Sequence, residues 1–334
     1  MYTSEELNNE GIRQWDWIKK DFTHTSILLG NGFSINFSDT LKYKFLYEFF
    51  IKSCSTESHK LFDVFETKNF EKILENIEIA RIVSKTLNFS NKEFEKFKIE
   101  IRQGLIDSIN KIHPKPIDVK QEQIKWIAGQ FQNFNQIFTT NYDLFLYYII
   151  LETKKFGDHL FNKYSDKYNT FVDPDKMKSH HIYYLHGALF LYESGLTTLK
   201  IKKPIDGWLL DSITEEISKN NYPLFISEGK SETKLKAIKS NLYLNFCLDR
   251  FETNTDKSLI IFGQSLSDQD EHLVRIIDKT YDKLAISIRG EDWQTIGELR
   301  AEKHRISSYL KKAKFEFFDS KTLFDFEPTC ASAQ

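Results

Sequence analysis

The stretch that most constrains the fold is residues 26–36, SILLGNGFSIN, where an apolar segment runs into two closely spaced glycines. Consecutive large aliphatic residues predict a strand buried on both faces, as in a parallel sheet covered by helices. Gly30 and Gly32 allow a tight turn and a close approach to a ligand. Such turns hold phosphates, although Ile35 stands where the dinucleotide fingerprint has its third glycine. A turn without any ligand is an equal alternative at this point.

A helix is predicted directly after this turn, because apolar residues recur at helical spacing over residues 41–49. Ser34 or Ser38 is suited to cap it. Residues 61–134 are helical in pattern almost throughout, and we interpret them as a helical insertion whose aromatic stripes belong to the core. The fold class predicted for the whole chain is α/β, a Rossmann-like parallel sheet flanked by helices, in a single domain over residues 1–334 with that insertion.

Residues 136–143, QIFTTNYD, read as a second strand that runs into a polar corner. Thr140, Asn141 and Asp143 stand at the carboxyl end of that strand, which is where open α/β sheets bind ligands. The structural alternative is that Asp143 caps the next helix and that Asn141 makes a local turn hydrogen bond.

Residues 181–189, HIYYLHGAL, form a third strand that ends in a polar residue and a glycine, His186 and Gly187. A histidine at a strand end is suited to move protons near neutral pH. A metal site is not predicted here. His181 and His186 face opposite sides of an extended segment, and no carboxylate lies close in sequence.

Residues 154–179 are predicted to be a polar connection, and residues 223–231 another strand-to-loop transition followed by a helix. Ser231 and Lys234 bring a hydroxyl and an ammonium to the first turn of that helix. These two groups suit contact with a phosphate and suit plain capping equally well.

Residues 258–270, SLIIFGQSLSDQD, again place a glycine directly after an apolar strand, as residues 26–36 do. Hydroxyl and carboxylate side chains follow this glycine. Asp268 and Glu271 are interpreted as a capping pair and not as metal ligands. Residues 284–288 and 315–318 are predicted to be the strands that complete the sheet.

The net charge, the cysteine spacing and the length of the apolar runs exclude several classes of function. The chain has 334 residues and a net charge of −2, so its overall charge does not favour nucleic-acid binding. Cys54, Cys247 and Cys330 are too far apart for a zinc motif and are expected to be reduced thiols. The longest apolar run, residues 144–151, is too short to cross a bilayer, and no apolar leader opens the chain. We therefore expect a cytoplasmic protein without membrane contact.

In their order along the chain, the four strand-end motifs together resemble the sirtuin-like superfamily, and more closely the bacterial sirtuin-like proteins that degrade NAD in anti-phage defence. The motifs are GNGFS at residues 30–34, TTNYD at 139–143, LHG at 185–187 and FGQSL at 262–266. The resemblance covers roughly residues 26–288, and the helical insertion matches only in character.

The resemblance implies roles for individual residues. The first glycine turn would hold the pyrophosphate, the turn after the fourth strand would line the adenosine half, and the asparagine and histidine would act at the nicotinamide ribose. The implied catalytic residues are Asn141 at the ribose, Asp143 orienting the nicotinamide end and His186 as the base. The residues expected to contact NAD⁺ are Gly30, Asn31, Gly32, Phe33, Ser34, Thr140, Gly187, Ser231, Gly263, Ser265 and Leu266.

The chain departs from deacylating sirtuins in two ways. It lacks the two cysteine pairs of their zinc module, and it lacks the arginine that follows their first glycine turn. Both departures favour hydrolysis of NAD⁺ over deacylation of proteins. The expected activity is an NAD⁺ glycohydrolase that forms nicotinamide and ADP-ribose without a metal. The resemblance also implies control by homo-oligomers or by a partner such as a helicase-type ATPase. The alternative is a module that binds NAD or ADP-ribose without cleaving it.

Overall fold

The structure is a computed structural model that describes residues 2–35, 43–68, 70–90, 92–113, 120–153, 156–172, 180–219, 221–226 and 230–325. Its helices are α1 (Ser4–Asn9), α2 (Trp15–Ile18), α3 (Asn31–Ile35), α4 (Tyr43–Phe50), α5 (Thr56–Val64), α6 (Phe70–Thr86), α7 (Lys92–Ile112), α8 (Gln121–Phe131), α9 (Phe145–Thr153), α10 (Leu209–Ser218), α11 (Ser231–Ser240), α12 (Leu242–Glu252), α13 (Glu271–Thr280) and α14 (Ile296–Tyr309). None of these helices is both long enough and apolar enough to span a bilayer.

The strands form two sheets. They are β1 (Ile12–Arg13), β2 (Thr25–Leu29), β3 (Phe134–Thr139), β4 (Phe156–Gly157), β5 (Leu160–Lys163), β6 (Tyr168–Phe171), β7 (His180–Tyr184), β8 (Leu191–Ser194), β9 (Thr197–Ile201), β10 (Ser258–Phe262), β11 (Lys283–Ile288) and β12 (Lys314–Asp319). The main sheet has the order β1-β12-β11-β10-β2-β3-β7-β4, and its neighbouring strands are parallel. The smaller sheet has the order β5-β6-β9-β8 and is antiparallel.

The main sheet confirms the predicted α/β, Rossmann-like class. Six of its strands, β7-β3-β2-β10-β11-β12, follow the 3-2-1-4-5-6 order of dinucleotide-binding sheets. The predicted opening strand is β2, which is buried along its whole length as a central parallel strand requires. The chain leaves β2 first toward β3 and later returns to β10 on its other side. This reversal creates a crevice at the carboxyl ends of β2 and β10.

The predicted helical region, residues 61–134, contains the end of α5 and all of α6, α7 and α8. Phe70, Ile73 and Leu74 of α6 are fully buried, which confirms that its apolar stripe belongs to the core. The helix expected after the glycine turn is α4, which is described from Tyr43 onward, while Ser34 lies inside the short helix α3. Ser38, the other predicted cap, lies outside the described residues.

Two local predictions are wrong. Part of the connection predicted over residues 154–179 pairs as β4, β5 and β6. These strands have two to four residues and mix polar with aromatic side chains, so they carry little of the apolar run or alternation that identifies a strand in sequence. Of the strand-to-loop transition predicted over residues 223–231, the described residues 223–226 contain one antiparallel bridge, between Gly187 and Phe225, in place of a strand.

Candidate functional site

A cavity of about 570 Å³ opens at the carboxyl edge of the main sheet, where β2 and β10 lie side by side. This is the crevice in which open α/β sheets bind ligands. Segments that are far apart in sequence meet here because parallel strands bring their carboxyl ends to one edge. The residues predicted as site residues that line the cavity are Asn31, Gly32, Thr140, Asn141, Asp143, His186, Gly263 and Ser265.

The two glycine turns at this edge pack directly against each other. The amide of Gly30 donates to the carbonyl of Phe262 at 2.8 Å, and the amide of Gly32 donates to the carbonyl of Gly263 at 2.9 Å. A Cβ on Gly32 would lie 2.6 Å from the Cα of Gly263, which itself has a φ of +68°. The glycines are therefore required for contact between the turns. Since both amides already donate to carbonyls, a phosphate bound at this turn must be held by other donors.

Asn141 connects the end of β3 to the short helix α3. Its side-chain Nδ2 donates to the Oγ of Ser34 at 3.0 Å, and its backbone amide donates to the Oγ1 of Thr139 at 3.0 Å. Asn141 is 5% exposed and lines the cavity. Ser34 does not line the cavity, and it acts on the site by orienting this amide.

Asp143 acts as the helix cap that the structural alternative describes. Its Oδ1 accepts a hydrogen bond of 2.9 Å from the backbone amide of Phe145, the first residue of α9. The side chain also lines the cavity. Its position is therefore set by α9.

His186 belongs to a buried cluster of charged and polar side chains. Its Nε2 lies 4.0 Å from the Oδ1 of Asp270, and the Nζ of Lys234 donates to that same oxygen at 3.1 Å. The ring of His272 stacks on that of His186 with centroids 5.6 Å apart. The Oγ of Ser231 lies 2.9 Å from the Nδ1 of His272 and accepts from its backbone amide at 2.7 Å. Ser231 thus supports His272 from behind the cavity.

Burial controls the protonation states in this cluster. It lowers the pKa of His186 to about 3 and the pKa of His272 to about 4, with Lys234 acting in the same direction and Asp270 opposing it. Burial alone would raise the pKa of Asp270, but Lys234 and the histidines outweigh it and leave the pKa lowered. Near neutral pH the cluster therefore holds neutral imidazoles beside an ion pair.

The cluster also has the composition of a metal site. Potential ligand atoms of His186, Asp270 and His272 lie within 4.8 Å of one another, and the two Nε2 atoms have no hydrogen-bond partner among the described residues. Lys234, however, already supplies a positive charge 3.1 Å from the Asp270 carboxylate. A divalent cation here would lie next to a buried ammonium, which makes its binding unfavourable.

The sequence argument about metals missed this grouping because it considered only carboxylates close to the histidines in sequence. The predicted capping pair is wrong as well. Asp268 accepts a hydrogen bond from the hydroxyl of Tyr309, and Glu271 binds Arg275 one turn along α13. The buried carboxylate of this segment is Asp270.

Some predicted contact residues lie outside the lining of the cavity. Phe33 is fully buried against Phe131 and Phe324, with ring centroids 5.8 and 5.5 Å away. Leu266 is buried, and Gly187, with a φ of +80°, packs against the backbone of residue 224. The residues concerned are Gly30, Phe33, Ser34, Gly187, Ser231 and Leu266.

Other lining residues were missed by the sequence analysis. Ser287, Arg289 and Trp293 line the cavity from the end of β11, and Ser287 accepts the amide hydrogen of Gly263 at 2.9 Å. Residues 284–288 were predicted as a strand that completes the sheet. The rule that polar residues after parallel strands form sites would have identified this end too.

Comparison with known proteins places the chain in context. Residues 27–324 match the family model described as "Domain of unknown function (DUF4917)". The search of curated proteins finds no match.

Proposed function

The chain belongs to the DUF4917 family, and from its site we propose that it is an NAD⁺ glycohydrolase that cleaves NAD⁺ to nicotinamide and ADP-ribose. The observation that carries the proposal is that Asn141 and His186 line one cavity, with Asn31 and Gly32 of the first glycine turn on the same wall. The cavity also crosses the point where the strand order reverses, the usual binding position for dinucleotides. Its volume of about 570 Å³ lies within the usual range for small-molecule sites. The resemblance of its strand-end motifs to sirtuin-like proteins supports the same assignment.

Cleavage of NAD⁺ requires few catalytic groups from the protein. Nicotinamide in NAD⁺ is cationic and leaves without a general acid, through an oxocarbenium-like transition state at the ribose. The enzyme needs to hold the ribose and to direct a water molecule at the exposed carbon. Asn141, fixed by Ser34, would position the ribose, and neutral His186 would accept the proton of the attacking water. Asp270 would then stabilise the imidazolium that forms, since it favours the charged ring.

The helical insertion supports the proposed control by a homo-oligomer or by a partner such as an ATPase. Large apolar side chains on α6 and α7 are exposed to solvent. They include Ile82, Val83 and Ile99, and with Leu87, which directly follows α6, these side chains are 51% to 57% exposed. Exposed apolar groups of this kind are typical of interaction surfaces. In this proposal the enzyme is an effector of anti-phage defence that depletes NAD⁺ when activated.

One observation favours the second candidate, a module that binds NAD or ADP-ribose and signals without cleaving it. The low pKa of His186, about 3 because of burial, makes its imidazole a weak base at neutral pH. A binding module would need the cavity but no base.

Nicotinamide release from NAD⁺ by the purified protein, alone and with its genomic neighbours, separates the two candidates. For the hydrolase, Asn141→Ala and His186→Ala should each lower the rate by about a hundredfold or more. The matched controls are Asn245→Ala and His304→Ala, which change exposed residues away from the cavity. Circular dichroism checks that all four variants fold. Equal rates in wild type and both site variants would refute the catalytic assignment. Saturable NAD⁺ binding without release under any condition would establish the binding module instead.

A further inference from the structure

A second cavity, of about 290 Å³, lies at the opposite edge of the main sheet. Gln136 and His181 reach it from the starts of β3 and β7, and residues 253–255 reach it from the segment before β10. Because the strands are parallel, their starts and their ends lie at opposite edges. This cavity is therefore separate from the candidate site. Its lining residues are Gln136, His159, His181, Tyr183, Arg250, Thr253, Asn254 and Thr255.

Several polar atoms at this cavity are buried without a partner. Both ring nitrogens of His159, the Nδ1 of His181 and the Oε1 of Gln136 have no hydrogen-bond partner among the described residues. His159 is only 1% exposed, and its ring stacks on that of His181 with centroids 4.8 Å apart. Buried polar groups in proteins are almost always hydrogen-bonded, so unsatisfied atoms grouped around one cavity indicate a missing ligand.

The charge of the cavity is positive. Arg250 has no carboxylate partner in the described part of the chain, and its guanidinium stacks over Phe246 with its central carbon 5.2 Å from the ring centroid. The eight lining residues include no aspartate or glutamate. Burial lowers the pKa of His159 to about 4, with His181 and Arg250 acting in the same direction and Asp158 opposing them, so its ring is neutral at pH 7. A neutral imidazole offers one N–H donor and one acceptor nitrogen.

We propose that this second cavity binds a phosphate that carries one proton, namely hydrogen phosphate or the monoanionic form of a phosphate monoester. Arg250, the imidazole N–H groups and the Tyr183 hydroxyl supply donors to the phosphate oxygens. The single P–OH group donates to one of the acceptors, Gln136 Oε1 or an imidazole nitrogen. A fully deprotonated oxyanion such as sulfate satisfies the donors but leaves these acceptors unpaired. The site thus distinguishes phosphate from sulfate.

Isothermal titration calorimetry of the full chain at pH 7 tests the proposal with inorganic phosphate, 5′-AMP and sulfate. We expect saturable binding of inorganic phosphate or AMP, and binding of sulfate about tenfold weaker or more. Tighter binding of inorganic phosphate identifies free phosphate as the ligand, and tighter binding of AMP identifies a monoester.

Two variants locate the binding. Arg250→Gln removes the cation from a partly exposed position and should weaken phosphate binding about tenfold or more. His159→Phe keeps the ring stack, removes both unpaired nitrogens and should weaken binding similarly without lowering the melting temperature. Neither residue lines the candidate active site. Arg275→Gln, which changes an exposed arginine of α13, is the matched control and should bind as the wild type does.

Three results would overturn the proposal. These are the absence of saturable binding for both phosphate compounds, sulfate affinity equal to that of phosphate, and unchanged binding in both Arg250→Gln and His159→Phe. None of these readouts depends on cleavage of NAD⁺, so failure of the proposed hydrolase leaves this test intact.

Discussion

The amide of Asn141 is held by the hydroxyl of Ser34, with 3.0 Å between Nδ2 and Oγ. This bond joins the turn after β3 to the short helix after β2, so the side chain proposed to position the ribose depends on a residue outside the cavity lining. Ser34→Ala should lower the kcat of nicotinamide release about tenfold, because the amide loses its orienting partner. The KM for NAD⁺ should change little. Steady-state kinetics measures both values.

Two further variants distinguish a positioning role of Ser34 from a merely structural one. Ser34→Thr keeps the hydroxyl and should restore most of the rate, whereas Ser308→Ala, at an exposed position of α14, should leave kinetics unchanged. A loss of stability in Ser34→Ala with unaltered kcat would refute the positioning role.

The contact between the glycine turns predicts opposite effects of two glycine substitutions. Gly32→Ala should lower the free energy of unfolding by about 3 kcal/mol, because the new methyl group meets the backbone of Gly263. Gly129→Ala is the control. Gly129 lies in α8 with open space around its Cβ position, so alanine there should raise the free energy of unfolding by about 1 kcal/mol. Urea denaturation measures both, and equal effects would contradict the close packing.

Removal of metal ions should not affect the candidate site, because Lys234 already neutralises Asp270. Dialysis against EDTA should leave nicotinamide release and melting temperature unchanged. Lys234→Met should instead destabilise the fold by about 3 kcal/mol or more, since it leaves a buried carboxylate without its cation. Loss of activity on chelation and recovery with Zn²⁺ or Mn²⁺ would show that the cluster holds a metal.

Acid should destabilise the protein through its buried histidines. The folded-state pKa values of His159, His186 and His272 are lowered by burial to about 4, 3 and 4, below the unfolded value of about 6.5. Below pH 6.5 the unfolded chain binds protons that the folded chain does not. Stability is therefore full above about pH 6.5 and falls toward pH 4, by about 1.4 kcal/mol per pH unit for each histidine.

Urea midpoints between pH 7.5 and 5 measure this slope. His159→Phe removes one of these titrating groups and should make the slope shallower. A stability that stays constant from pH 7.5 to 5 would show that these rings take up protons in the folded protein as readily as in the unfolded chain.

The sequence predicted the parts of the fold and site that depend on short-range pattern. The strand-to-glycine segment at residues 26–36 predicted β2, and polar residues after three parallel strands predicted that Asn141 and His186 would reach one edge. Asp270 could not be matched to His186 in this way. Its approach depends on how α11 and α13 pack, which places Lys234 and Asp270 together without any local signal.

The smaller antiparallel sheet was missed for a related reason. Its strand β6, Tyr168–Phe171, is only partly buried along its length and shows no alternation of exposed and buried positions. Pairing with β5 and β9 stabilises it, and such pairing is a property of the folded chain.

The main sheet ends in two very short strands, β1 (Ile12–Arg13) on one side and β4 (Phe156–Gly157) on the other. Each of these short edge strands has few unpaired backbone N–H and C=O groups with which another polypeptide could form a strand pair. This protects the sheet of eight strands from edge-to-edge aggregation. Copies of this chain that assemble would therefore use surfaces other than these two edges of the main sheet, and a point substitution on such a surface can separate them without disturbing the sheet.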